Sequence, residues 1–195
     1  MTTNIKNYAV FILVIIPLSC YQPSVLNADD VMNWYKKNNE LFINSKSLGD
    51  ITYEMRYIPE PVVRAHDTQK ITLQGAEQKE VITDQIHFVY KIQNNASNKD
   101  LLRKGITGEQ PYFERVEYFS YYAHNDFKLV QGSDTLQCQD VHFERTFGLT
   151  PYITLNLTFL TKKNSLVKNG NFTNGITLEY YYRVYCNGRV KHYIP

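Results

Sequence analysis

Cysteine, glycine and net charge are all scarce in this chain: three Cys, nine Gly and a formal charge of +2 in 195 residues. Each scarcity excludes something. LQGAE and VQGSD each hold a lone glycine, so no loop can cradle a phosphate through backbone N–H groups. A near-balanced charge leaves no electrostatic footprint for nucleic acid. The five histidines include no close pair, and no CxxC is present. His142 and Glu144 stand two apart, on one face of a strand, but two ligands do not make a metal site. No GxSxG elbow occurs, and nucleophilic catalysis needs a nucleophile, a base and an orienting group. Asp126, Asp134 and Asp140 offer carboxylates near turn residues, where acids commonly bond the backbone. Neither a cofactor nor a metal nor enzymatic activity is expected. Long apolar runs are absent too. Ala9 to Ile16 is unbroken, but eight helical residues rise only about 12 Å, against about 30 Å for a hydrocarbon core.

That short run carries the first positive signal. Lys6 precedes it and the small Ser19 precedes Cys20, the pattern of a secretory signal. The PLSC sequence at residues 17–20 resembles a bacterial lipobox, with Pro17 where the pattern has leucine. The resemblance implies acylation of Cys20 and a lipid anchor. It divides the chain into a signal peptide (1–20), a tether (21–28) and a single β-rich domain (29–195). Cleavage after Ala28 is the other reading. Both send the protein out of the cytoplasm; the first makes it a cell-envelope, outer-membrane lipoprotein facing the periplasm.

With Cys20 acylated or removed, Cys138 and Cys186 remain. An even remainder in an exported chain implies a disulfide. It would close about 50 residues and contribute about 4 kcal/mol on the chain-entropy model. Two buried free thiols are the alternative.

What is abundant is tyrosine, 16 residues, a side chain that packs on a pleated surface while its hydroxyl reaches water. DDVMNWYKKNN reads as one short helix, with Asp29 and Asp30 at its start and Lys36 and Lys37 near its end. Val31, Trp34 and Tyr35 share its apolar face. After it strands dominate. ITYEMRYI alternates Ile51, Tyr53, Met55 and Tyr57 with polar residues, and the Pro59 and Pro61 of PEP stop it. QIHFVYKI puts Ile86, Phe88, Tyr90 and Ile92 on one face. YFSYYAHNDFKLV reads as two strands joined near His124-Asn125-Asp126, although RVEYFSYY also begins well as a helix. DTLQCQDVHFERTF and YITLNLTFL follow. ITLEYYYRVYC alternates from Ile176 to Cys186, Asn187-Gly188 supplies a two-residue hairpin turn, and RVKHYI returns. The expected fold is mainly β, an antiparallel sandwich or open barrel with one short N-terminal helix. The sequons at Asn95, Asn156 and Asn171 read as chance in an Asn-rich chain.

The order of these features resembles a group of uncharacterised Bacteroidetes lipoproteins. The matching parts are the lipobox, a strand ending in Tyr57-x-Pro59, and the D-T-L-x-C stretch that ends in Phe143-Glu144-Arg145. The resemblance implies a mostly β, lipid-anchored domain and no activity. The expected function is a binding or assembly subunit tethered to the membrane, with an envelope protein as partner and no nucleic acid. Tyr181, Arg183 and Tyr185 are the partner-binding candidates, on the outer face of the last long strand, because Tyr and Arg are enriched in interface hot spots. Packing of Tyr181 and Tyr185 beneath the helix at 29–38 is the competing expectation. The alternative function is a small-ligand binder with a tyrosine-lined pocket; an envelope hydrolase comes behind it.

Overall fold

The computed structural model describes residues 27–74, 85–161, 167–168, 171–172, 175–185 and 188–194. Cys20 with the signal-like segment, most of the tether, and Cys186 with Asn187 lie outside the described residues.

Two-residue periodicity builds one large sheet. Its strands are β1 (Ile43–Leu48), β2 (Ile51–Ile58), β3 (Gln85–Asn94), β4 (Phe127–Gln131), β5 (Asp134–Glu144) and β6 (Tyr152–Leu160). A small hairpin, β7 (Val167–Lys168) and β8 (Asn171–Phe172), precedes the last two strands, β9 (Ile176–Tyr181) and β10 (Arg189–Ile194). The eight strands of the sheet run in the order β1-β2-β3-β6-β5-β4-β9-β10. Every pairing is antiparallel. The sheet curls until its two edge strands meet: Asn44 of β1 donates through Nδ2 to the Tyr193 carbonyl of β10 at 3.2 Å. The result is a nearly closed barrel, the open-barrel form of the expected fold.

Inward positions are apolar and outward ones polar along each long strand. β2 buries Ile51, Tyr53, Met55 and Tyr57, β3 buries Ile86, Phe88, Tyr90 and Ile92, and β6 buries Ile153, Leu155, Leu157 and Phe159. An eight-stranded barrel has an interior just wide enough for side chains to fill, and here rings fill it. Tyr53, Phe88, Tyr90, Phe127, Phe159 and Tyr180 are each at most 1% exposed. Phe127 stacks on Tyr180 with centroids 4.4 Å apart, and Tyr90 meets Phe127 edge-on at 5.0 Å. Tyr53, Tyr57, Tyr90 and Tyr180 therefore serve as core.

Helix α1 (Ala28–Lys37) forms where the charge pattern places it. Asn27 caps it, its side chain accepting from the Asp30 amide at 2.8 Å. Helix α2 (Glu60–Gln74) is absent from the sequence-based expectation. PEP does end β2, but it also opens this helix: the Pro59 carbonyl accepts from the Val62 and Val63 amides. Pro61 is tolerated because the first turn needs no intrahelical N–H donor. Glu60 then pairs with Arg64 one turn on, at 2.5 Å. β1 was likewise not expected; its alternation is weak and most of its residues are exposed.

Two further expectations are corrected. Glu117–Tyr122 is helical, as the RVEYFSYY alternative had it, and does not form a strand: α3 (Gln110–Glu117) runs into a wide π-type turn (Tyr118–Tyr122) and a 3-10 turn before β4. Phe119 is fully buried there, while Tyr121 and Tyr122 face solvent side by side, an arrangement no strand permits. The last long strand is also shorter than expected: β9 stops at Tyr181, which pairs with Arg189, while Asn187 of the expected turn lies outside the described residues. The cause is long-range: Arg183 turns away to Asp126 at 2.8 Å, and Tyr185 folds onto Phe119 and Arg115.

Candidate functional site

With the interior filled, concave space lies outside the barrel. α1 and α2 pack on each other, and α2 contacts β3. Between helices and sheet is a crevice of about 700 Å³. Met32 and Tyr35 come from α1, Val62, Val63 and His66 from α2, and Ile58 from the end of β2. The floor is outward-facing sheet: His87 and Val89 of β3, Asn156 of β6 and Glu144 of β5. These share one face because their neighbours Phe88, Leu157 and Phe143 point into the core.

The polar groups of the floor are ordered by register. Val89 pairs with Asn156, and Asn156 with His142. Asn156 Nδ2 donates to Glu144 Oε1 at 2.7 Å. His87 Nδ1 lies 3.4 Å from Thr158 Oγ1. Burial holds the His87 imidazole below its ordinary pKa, opposed by the carboxylate of Asp67, so the ring is a neutral hydrogen-bonding group at pH 7. Tyr35 closes one side, its hydroxyl donating to the Tyr57 carbonyl at 3.3 Å. The wall is mostly apolar, with His66, His87, Asn156 and Glu144 around it. Such a site can bury an apolar body and hold one polar end.

The expected site residues are dispersed. Tyr181 points outward on β9 beside Arg189, whose guanidinium lies 4.5 Å over the ring. Arg183 sits in the following loop, ion-paired with Asp126. Tyr185 is half-buried: burial of its hydroxyl end raises its pKa, and that hydroxyl has no hydrogen-bond partner. The three therefore do not form one outer face, since β9 ends before Arg183. Nor does Tyr185 lie beneath α1; its ring faces Phe119 and Arg115. Cys138 carries a free thiol; Cys186, its expected partner, lies outside the described residues. The Cys138 Sγ donates to the Asp140 carbonyl at 3.1 Å, inside a β-bulge of β5. Burial pushes that thiol up to about 12, far from a reactive cysteine. His142 and Glu144 share an outward face as expected. Asp126 is buried under Arg183 and Asp134 begins β5 at the opposite end from Glu144, so no cleft gathers them. Among the described residues no three His, Cys, Asp or Glu side chains are grouped to hold a metal. No helix among them is long and apolar enough to cross a membrane.

No family model matches this chain, and no curated protein matches it. A solved structure described as a novel protein of unknown function from Burkholderia pseudomallei aligns over 88% of this chain and 91% of its own, at 7% identity and a TM-score of 0.34. A likeness of that size carries no argument about either fold or function.

The crevice was not legible beforehand because no contiguous segment holds it. His87, Glu144 and Asn156 each read as an ordinary outward strand position, and half the wall is the unexpected α2. The one signal available was that outward positions of these strands carry His, Asn and Glu among shorter polar residues.

Proposed function

We propose that this protein is a membrane-tethered binding domain of the cell envelope, acylated at Cys20, which holds a small, largely apolar ligand in the crevice beneath α1 and α2. The observation that supports the ligand reading is the crevice itself. Its volume, about 700 Å³, falls in the range of roughly 300–1,000 Å³ typical of ligand pockets. Its wall is apolar, with a few polar groups to fix orientation. His87 is neutral at pH 7 and offers a hydrogen bond without a charge. The role is binding without catalysis: the carboxylate among the lining residues, Glu144, is engaged by Asn156, and no Ser, Thr or Cys nucleophile is among them.

The direct test is titration with the amphipathic fluorophore 1-anilinonaphthalene-8-sulfonate. The expected result is saturable one-site binding in the wild type and its loss in Val63→Trp, which fills the crevice from α2. Absence of saturable binding, or equal binding by Val63→Trp, overturns the ligand reading.

A further inference from the structure

The outer face of the other half of the barrel has a different character. Register places Lys128 of β4, Glu179 of β9 and Lys191 of β10 in one row, with Tyr181 and Arg189 paired in the next. Glu179 is only 7% exposed. Arg189 Nη1 and Lys191 Nζ roof it at 3.1 and 2.7 Å. The carboxylate thus lies beneath the cations and fixes their positions, and the charge left facing outward is positive. Lys128 completes the row on the far side of Tyr181, 6.0 Å from its ring centroid. The remaining outward residues of β4, β9 and β10 are Val130, Thr177 and the exposed Tyr193. The opposite outer face is mixed in sign, carrying Glu54, Asp140 and Glu144 with Arg56 and Lys91.

We infer that the β4-β9-β10 face docks on an anionic lipid bilayer. It joins exposed cations to tyrosines, and both recur at membrane–water interfaces. Arg189 and Lys191 stand on β10 and Lys128 two strands away on β4, about 10 Å across β9, so the charges are spread over the face toward a plane of headgroups. Charge sidedness supplies orientation: the half of the barrel bearing Asp140 and Glu144 turns away from the bilayer, and the crevice floor lies on that half. One acyl anchor joined to a cationic patch makes a two-signal attachment. The inference rests on the membrane-tethered reading, and its test is built so that the two can fail separately.

The test uses the full chain carrying Cys20→Ala, so that no acyl group contributes. Binding is measured by flotation with vesicles of phosphatidylcholine alone and with about 30 mol % phosphatidylglycerol. The expected result is binding roughly thirtyfold tighter to the anionic vesicles, weakening as salt rises from about 0.05 to 0.3 M. Lys128→Glu, a change at a cation not ion-paired to Glu179, is expected to remove about tenfold of that preference. The variant's circular dichroism spectrum checks that it folds. Equal binding to both vesicle types, or an unchanged preference in Lys128→Glu, overturns the inference. Competition by soluble polyglutamate with no preference between vesicles overturns it as well, and assigns the face to an acidic protein. None of these outcomes bears on whether Cys20 is acylated.

Discussion

His192 Nδ1 lies 3.0 Å from Asn44 Oδ1, across the seam where the barrel's edge strands meet. The Asn44 oxygen can only accept, so Nδ1 carries the proton and Nε2 is free to accept from the Tyr90 hydroxyl at 3.2 Å. Burial, helped by the Lys46 ammonium, lowers the imidazole to about 4 from 6.5. The folded protein therefore holds this ring neutral, and the unfolded chain binds the extra proton first. Stability from this group is complete above about pH 6.5 and is lost progressively as pH falls to about 4. The loss is at most about 3 kcal/mol. Urea midpoints at pH 7 and pH 4.5 measure it, and His192→Gln is expected to flatten that part of the profile.

Phe127 is expected to be the costliest single truncation in the core. It is fully buried, stacked on Tyr180 and edge-on to Tyr90. Phe127→Ala should lose about 3–5 kcal/mol from the cavity it leaves, read as a fall in the denaturant midpoint with an unchanged slope.

Asp126 is 3% exposed and held from two sides, by Tyr118 Oη at 2.6 Å and Arg183 Nε at 2.8 Å. Arg183 is largely in solvent, so the two ends of the pair are not equivalent. Asp126→Ala strands the partly buried Tyr118 hydroxyl and should cost about 1–3 kcal/mol. Arg183→Ala should cost about 1 kcal/mol or less. Equal losses in thermal unfolding would refute this asymmetry.

Cys138 should be silent toward thiol reagents. Its sulfur is buried and bonded to a carbonyl, and the thiolate is scarce at neutral pH. Native protein is expected to leave Cys138 unmodified by iodoacetamide, with labelling appearing only in denaturant. Peptide mass mapping of the alkylated site decides it.

Acylation of Cys20 is checked by growth with an alkyne palmitate analogue. Label is expected in the wild type and absent from Cys20→Ala, with release of the variant from the membrane fraction at high salt.

Elements whose signal is local were readable in the residues. The Asp-rich start and Lys-rich end of α1, and the strict alternation of β2, β3 and β6, each state their conformation within ten residues. What escaped was decided at long range. Tyr182 and Val184 continue the alternation of β9 perfectly well, yet Asp126 draws Arg183 off the ladder and Phe119 captures Tyr185. In PEP the same prolines that end a strand also suit the first turn of a helix, and only the packing of Val62 and Ala65 selects the second role. The crevice needed both α2 and the register of three strands, so its polar residues stood unrelated in the chain.

The seam between Asn44 and His192 joins residues 148 positions apart. The last strand must therefore leave the ribosome before the barrel can close. Until then β1 and the growing sheet keep open edges, and the tyrosine rings of the core lack part of their cover. Contacts of such long sequence separation form slowly. On the proposed reading of an exported chain, the barrel cannot close until its final strand is free to pair.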